Sequence, residues 1–242
     1  MRALLLAAGL GTRLRPLTDH IPKCLVDING RPLLGYWLDA LVGVGVDSIL
    51  VNLHHHMEQV EDFLETRADR ALISTVYEEE LLGTAGTVRA NAEFFKGEAG
   101  LIVHADNFCT ANIANFLSAH QIRPEGAALT MMIFLTDSPT TCGIVQLDEK
   151  GRVQAFHEKV KDPPGNLANA AIYVFEPEVV DFISSSGTEI EDISTDVLPK
   201  FLGRIFTWPS DGDLIDVGTL ASLEKAQRIM ADRSTPNSES GL

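Results

Sequence analysis

The chain has 242 residues, 45% of them hydrophobic, which is enough to bury the core of one α/β domain. Its 34 Asp and Glu outnumber 19 Lys and Arg, and the resulting charge of −15 argues against a nucleic-acid backbone or an anionic membrane surface as partner. No apolar run reaches the roughly 20 residues of a membrane span, and Arg2-Ala3-Leu4 does not open a secretory signal, so a cytoplasmic protein is expected.

The first predicted element is a strand over Ala3–Ala7, apolar throughout and therefore buried on both faces. It runs into Gly9-Leu10-Gly11-Thr12-Arg13, then Pro16 and Pro22-Lys23. Glycines without a Cβ let peptide N–H groups approach an anion closely, and both are expected to permit positive φ. Arg13 brings a planar fork of donors and Lys23 a mobile point charge, while the two prolines restrict the loop between them. The dinucleotide fingerprint G-x-G-x-x-G fails at Leu14, and no Gly-Lys-Ser/Thr completes a P-loop. Cys24, Cys109 and Cys142 are widely spaced, so reduced thiols are expected rather than disulfides or a zinc site.

A helix follows over Leu33–Val42, a strand over Ser48–Leu53, an amphipathic helix over Met57–Leu64 and a strand over Leu72–Tyr77. Consecutive His54, His55 and His56 cannot easily converge on one ion and read as a turn ahead of the helix. Gly83-Thr84 opens a helix over Thr84–Phe94, and the apolar strand Leu101–Ala105 ends at Asp106, where ligands gather in open α/β sheets. Beyond about residue 125 strands dominate: Ala127–Leu135, Ile144–Leu147 and Val153–His157 joined by a hairpin, and Ala170–Phe175. Helices near Pro177, over Thr195–Phe201 and over Leu220–Met230 follow, then a flexible tail from Arg233. There is no internal repeat, and no hexapeptide array that would extend into a β-helical domain.

The whole run from Gly9 to Lys23, G-x-G-T-R-x-x-P-x-T-x-x-x-P-K, resembles the opening motif of the sugar-1-phosphate nucleotidyltransferases. The resemblance implies a Rossmann-like α/β fold with a mixed, mainly parallel sheet flanked by helices. It also implies transfer of a nucleotidyl group from an NTP to a sugar 1-phosphate with release of pyrophosphate. Leu6, Ala8, Gly9, Gly11, Thr12 and Arg13 would then meet the nucleotide, with Arg13 and Lys23 as the catalytic cations. Leu82-Gly83-Thr84-Ala85-Gly86 resembles the family's L-G-T-A-G segment, which places Gly83 and Thr84 on the base side. Asp106 and the Asp216 of Asp216-Val217-Gly218-Thr219 match the positions that hold Mg2+. Phe156-His157-Glu158-Lys159 resembles F-x-E-K, Asn169-Ala170-Ala171 resembles N-x-G with alanine in the glycine position, and Cys142-Gly143 resembles a Y-G pair. These imply sugar-phosphate contacts from Gly143, Glu158, Lys159 and Asn169. One domain over 1–232 is expected, its first 125 residues nucleotide-binding and the rest sugar-phosphate-binding.

The sequence does not choose the base. A mannose- or heptose-1-phosphate guanylyltransferase is favoured slightly over a uridylyl- or thymidylyltransferase acting on N-acetylmuramate or glucose 1-phosphate. A cytidylyltransferase for choline phosphate would have less use for Glu158, Lys159 and Asn169. A binding module without turnover would not need both metal carboxylates, and a dinucleotide oxidoreductase fits least. Oligomeric state is left open.

Overall fold

The computed structural model describes residues 1–234. The strands are β1 Arg2–Leu6, β2 Ser48–Leu53, β3 Ile73–Tyr77, β4 Gly100–His104, β5 Asn107–Cys109, β6 Leu129–Leu135, β7 Gly143–Leu147, β8 Val153–Glu158, β9 Leu167–Phe175, β10 Ile205–Pro209 and β11 Leu214–Asp216. The helices are α1 Leu33–Gly43, α2 Met57–Glu65, α3 Gly83–Ala90, α4 Ile113–Gln121, α5 Pro177–Ser185 and α6 Leu220–Ser234. The main sheet runs β10-β6-β9-β4-β1-β2-β3, with the β7/β8 hairpin attached to β9. Pairings are parallel except those of β9 and the hairpin, so the mixed, mainly parallel α/β architecture is as expected.

Period-two alternation sorts the central strands onto two cores. Ala3, Leu5, Ile49, Val51, Leu101 and Val103 pack against α1, α2 and α4 on one face. Leu4, Leu6, Leu50 and Ile102 pack against α3 and α5 on the other. A third, smaller core joins Leu14, Val26 and Phe108 to Ile215, Val217 and Leu223 of α6, and it anchors the opening loop. Because β1, β2 and β4 run in register, their carboxyl ends open along one edge of the sheet.

Several elements differ from the expectation. The predicted helix 84–94 stops at Ala90 and continues as a 3-10 turn over Ala92–Phe95, which Lys96 and Gly97 close with left-handed backbone. The helix predicted over 195–201 is a π turn at Ile193–Val197 and a 3-10 turn at Leu198–Phe201, because Pro199 has no N–H with which to continue an α pattern. Four elements, α4, β5, β10 and β11, have no counterpart in the reading of the pattern; β5 and β11 are three residues each, too short for any periodicity. The tail expected from Arg233 begins inside α6, and its remainder, 235–242, lies outside the described residues. Among the described residues no helix is long and apolar enough to cross a membrane.

Candidate active site

The opening loop folds as three short 3-10 turns, Thr12–Leu14, Leu17–Asp19 and Lys23–Leu25. Of the two glycines expected to permit positive φ, only Gly11 uses it, at +63°. A Cβ there would lie 2.9 Å from Thr18 Cγ2 and 3.0 Å from Lys23 Cβ, so the glycine lets the loop close on itself. Thr18 Oγ1 donates to Gly11 O at 2.8 Å and fixes that closure. Its effect is to return Lys23 into the sheet edge, where the residue is only 6% exposed.

Lys23 Nζ then stands between two carboxylates. It donates to Asp106 Oδ2 at 2.7 Å and to Asp216 Oδ1 at 3.4 Å. Asp106 follows β4, and Asp216 ends β11; the antiparallel β5/β11 pair, with Asp216 opposite Asn107, brings the two together across 110 residues of chain. Arg13 reaches the other oxygen of Asp216 at 3.4 Å, and its guanidinium lies over Gly218, where a Cβ would meet it at 2.6 Å. Burial in the crevice works against the charged form of Asp106, but the Lys23 ammonium outweighs it and holds the carboxyl below its usual range. The groups accepting from this ammonium are carboxylate oxygens, the kind a hard divalent cation takes together with phosphate oxygens and water. The consecutive histidines form no such set: His56 is the left-handed cap of α2, and no cluster of three or more ligating side chains occurs among the described residues.

Two cavities meet at this point. The first, about 190 Å³, is walled by Leu6, Ala8, Gly9, Gly83, Thr84 and Thr87. The second, about 220 Å³, is walled by Arg13, Gly143, Glu158, Lys159, Asn169 and Asp216. His104 and Asp106 belong to both walls. Of the residues expected to meet the nucleotide, Gly11 and Thr12 line neither cavity and Arg13 lines only the second.

Beneath the first cavity lies a polar network that pattern reading missed. Asn52 Oδ1 accepts from Ala7 N at 2.6 Å, Asn52 Nδ2 donates to Glu78 Oε1 at 3.0 Å, and Thr87 Oγ1 donates to the same oxygen at 2.5 Å. All three side chains are buried. The available signal was Asn52 itself, the single amide in the apolar strand Ser-Ile-Leu-Val-Asn-Leu. Gly83 is left-handed at φ +75°, and a Cβ on it would sit 2.4 Å from Glu191 O. Thr84 does not cap α3; its hydroxyl donates to Asp192 Oδ2 at 3.1 Å and accepts from Ile193 N at 2.7 Å. Asp192 lines the second cavity, so this contact ties the two walls together. Nothing in the local sequence marked Asp192.

In the second cavity Lys159 Nζ pairs with Glu158 Oε1 at 3.1 Å and is 64% exposed, free to exchange partners. Asn169 is more constrained: Nδ2 donates to Tyr173 Oη at 2.6 Å and Oδ1 accepts from Ala171 N at 2.9 Å. Burial pushes the His104 imidazole below its ordinary pKa, against the opposing pull of the Asp106 carboxylate. Cys24 is buried and its thiol is pushed up to about 12 by desolvation, consistent with packing rather than chemistry.

The fold and the crevice together define an α/β protein with paired cavities and a concentration of cations at the carboxyl edge of its sheet. The chain belongs to the nucleotidyl transferase family, whose model matches residues 2–233. It is 35% identical over 227 residues to mannose-1-phosphate guanylyltransferase 1 of Arabidopsis thaliana, and 31% identical over 223 residues to mannose-1-phosphate guanyltransferase beta-B of Xenopus laevis. Each alignment covers 90% of this chain and 61% of the relative, so the chain spans about three-fifths of the length of these curated relatives. Among solved structures, a UDP-glucose pyrophosphorylase complexed with UDP-glucose superposes with a TM-score of 0.82 at 20% identity, covering 96% of this chain and 98% of that one. HddC from Yersinia pseudotuberculosis complexed with GMP-PN gives 0.78 at 23% identity, covering 95% and 99%. At such identities these two likenesses speak for the fold.

Proposed function

We propose that the protein transfers a nucleotidyl group from an NTP to a sugar 1-phosphate, releasing pyrophosphate, with mannose 1-phosphate and GTP as the first pair to test. The observation that carries this reading is the pair of cavities sharing Asp106 at the Lys23–Asp216 cluster, which suits two anionic substrates meeting at one phosphorus. The relatives named as mannose-1-phosphate guanylyltransferases support the choice of pair.

On this reading an oxygen of the sugar phosphate forms a bond to the α-phosphorus in line with the breaking bond to the β-phosphate oxygen. The attacking phosphate is already ionised, so no general base is required, and catalysis rests on positioning and charge. Arg13, its side chain 63% exposed, meets the β- and γ-phosphates and the charge that grows on the leaving pyrophosphate. Lys23 neutralises the α-phosphate from its buried seat. Lys159 leaves Glu158 for the sugar phosphate, and Glu158 is then free to accept hydrogen bonds from sugar hydroxyls. Asp106 and Asp216 would hold magnesium, which when bound supplies neutralisation of the phosphate oxygens.

The test is a matrix of ATP, GTP, CTP, UTP and dTTP against a panel of sugar 1-phosphates, read by pyrophosphate release with and without magnesium. GTP with mannose 1-phosphate is expected to give the highest kcat/KM; dominance of another pair corrects the substrates, and no release from any pair overturns the reading. Arg13→Ala and Asp106→Ala are each expected to lower kcat by at least about 10²-fold. Near-normal turnover in either variant defeats its assignment.

A further inference from the structure

Among the described residues, Asn29, His56, Lys96, Lys159 and Ala171 are the non-glycines with left-handed backbone. Asn and His tolerate that region, and Lys96 closes a helical turn ahead of Gly97. Ala171 is different. It lies inside β9 at φ +54°, where the Cβ crowds the following carbonyl and no polar side chain compensates. Lys159, at φ +47°, directly follows β8, so two of these strained positions line the same cavity.

The left-handed turn is imposed by its surroundings. Met131 pairs with Tyr173 and Ile133 with Asn169, so residues 170–172 of β9 bulge opposite the single residue Met132. Three hydrogen bonds fasten the bulge: Ala171 N to Asn169 Oδ1 at 2.9 Å, Asn169 Nδ2 to Tyr173 Oη at 2.6 Å, and Asn107 Nδ2 to Ala170 O at 3.0 Å. Any residue at 171 must adopt this turn, and glycine would do so without strain. The methyl group therefore costs stability at a cavity wall, the setting in which retained strain marks a functional constraint.

Gly143 lines the same cavity and is crowded too: a Cβ on it would lie 2.4 Å from Phe156 Cζ and 2.5 Å from Glu158 Oε2. We propose that Ala171 is a specificity-determining residue: its methyl group narrows the second cavity so that it takes hexose 1-phosphates bearing only hydroxyls and rejects those carrying an acylamino group on the ring carbon that faces the bulge. This rests on the reading of the second cavity as the sugar-phosphate site.

The test compares wild type with Ala171→Gly and Ala171→Asn, Asn being a larger residue that tolerates the left-handed region. The substrates are one hydroxyl-only hexose 1-phosphate and counterparts with an acetamido group at successive ring carbons, read by pyrophosphate release. In Ala171→Gly the kcat/KM ratio of at least one acetamido counterpart to the parent rises about 10-fold, the discrimination one small apolar group supplies. In Ala171→Asn the KM for the parent sugar phosphate rises by a similar factor while the KM for the NTP stays within about two-fold. The melting temperature of Ala171→Gly does not fall, because strain is relieved. Ratios that stay flat at every ring position in a folded Ala171→Gly overturn this inference while leaving the reaction standing. A wild-type protein that turns over no sugar phosphate overturns the reaction and this inference together.

Discussion

Lys23→Met is the substitution that separates most clearly what the cluster at Asp106 does. It keeps the length of the side chain and removes the ammonium, leaving the carboxylates of Asp106 and Asp216 without the cation they share at 2.7 and 3.4 Å. Breaking a fully buried pair typically costs about 3–5 kcal/mol. Here the lysine side chain is 7% exposed but the two carboxylate side chains are 38% and 52% exposed, so water screens the loss, and about 1–2 kcal/mol is expected. In a chain of this size that lowers the melting temperature by roughly 2–8 °C. The carboxyl of Asp106 is held down by Lys23, so in wild type its contribution to stability is present above the usual carboxylate pKa and is lost as pH falls through the depressed value. Without the lysine, the largest force opposing burial is gone and the pKa of Asp106 rises. Turnover should therefore fall by about 10²–10³-fold, and the acid limb of the pH–rate profile should move to higher pH. Pyrophosphate release from pH 5 to 8, with thermal melts at the same pH values, reads both effects. A Lys23→Met enzyme with kcat within about three-fold of wild type and an unmoved acid limb refutes the role given to the ammonium.

Two structural substitutions test the frame around the site. Gly83→Ala places a Cβ 2.4 Å from Glu191 O on a left-handed backbone, and the fixed carbonyl cannot retreat as a side chain would; a loss of about 2–3 kcal/mol is expected by chemical denaturation, and a loss below about 0.5 kcal/mol contradicts the packing. His120 is buried between Thr130 and Glu176, and burial together with Arg123 depresses its pKa to about 4. The unfolded chain binds its proton near 6.5, so the stability from keeping His120 neutral is complete above that value and is lost as pH falls toward 4. Between pH 7 and pH 5 wild type should lose about 2 kcal/mol more than His120→Gln, measured by denaturant titration at each pH; parallel losses would sink the argument.

Local pattern carried much of this fold. The alternation of Leu4 and Leu5, or of Ile102 and Val103, onto two cores follows from the period of a strand, and the helices at Leu33 and Met57 from a period of 3.6. The opening run and the Phe156–Lys159 segment likewise named side chains that line one connected crevice, because phosphate and hydroxyl recognition demand particular groups in a short stretch. Asn52 was legible only as a polar exception in an apolar strand, and Glu78 and Thr87 not even as that.

Sequence alone determined which groups were available: glycines that let a loop close, cations for anions, carboxylates at strand ends. Tertiary structure decided which of them meet. Asp106 and Asp216 share an ammonium because β5 and β11 pair, Thr84 reaches Asp192 because the segment before the π turn crosses to α3, and Ala171 is left-handed because β6 skips two residues of β9. Each rests on hydrogen-bond partners a few residues to more than one hundred residues away, and a period read within one element contains no information about a partner in another.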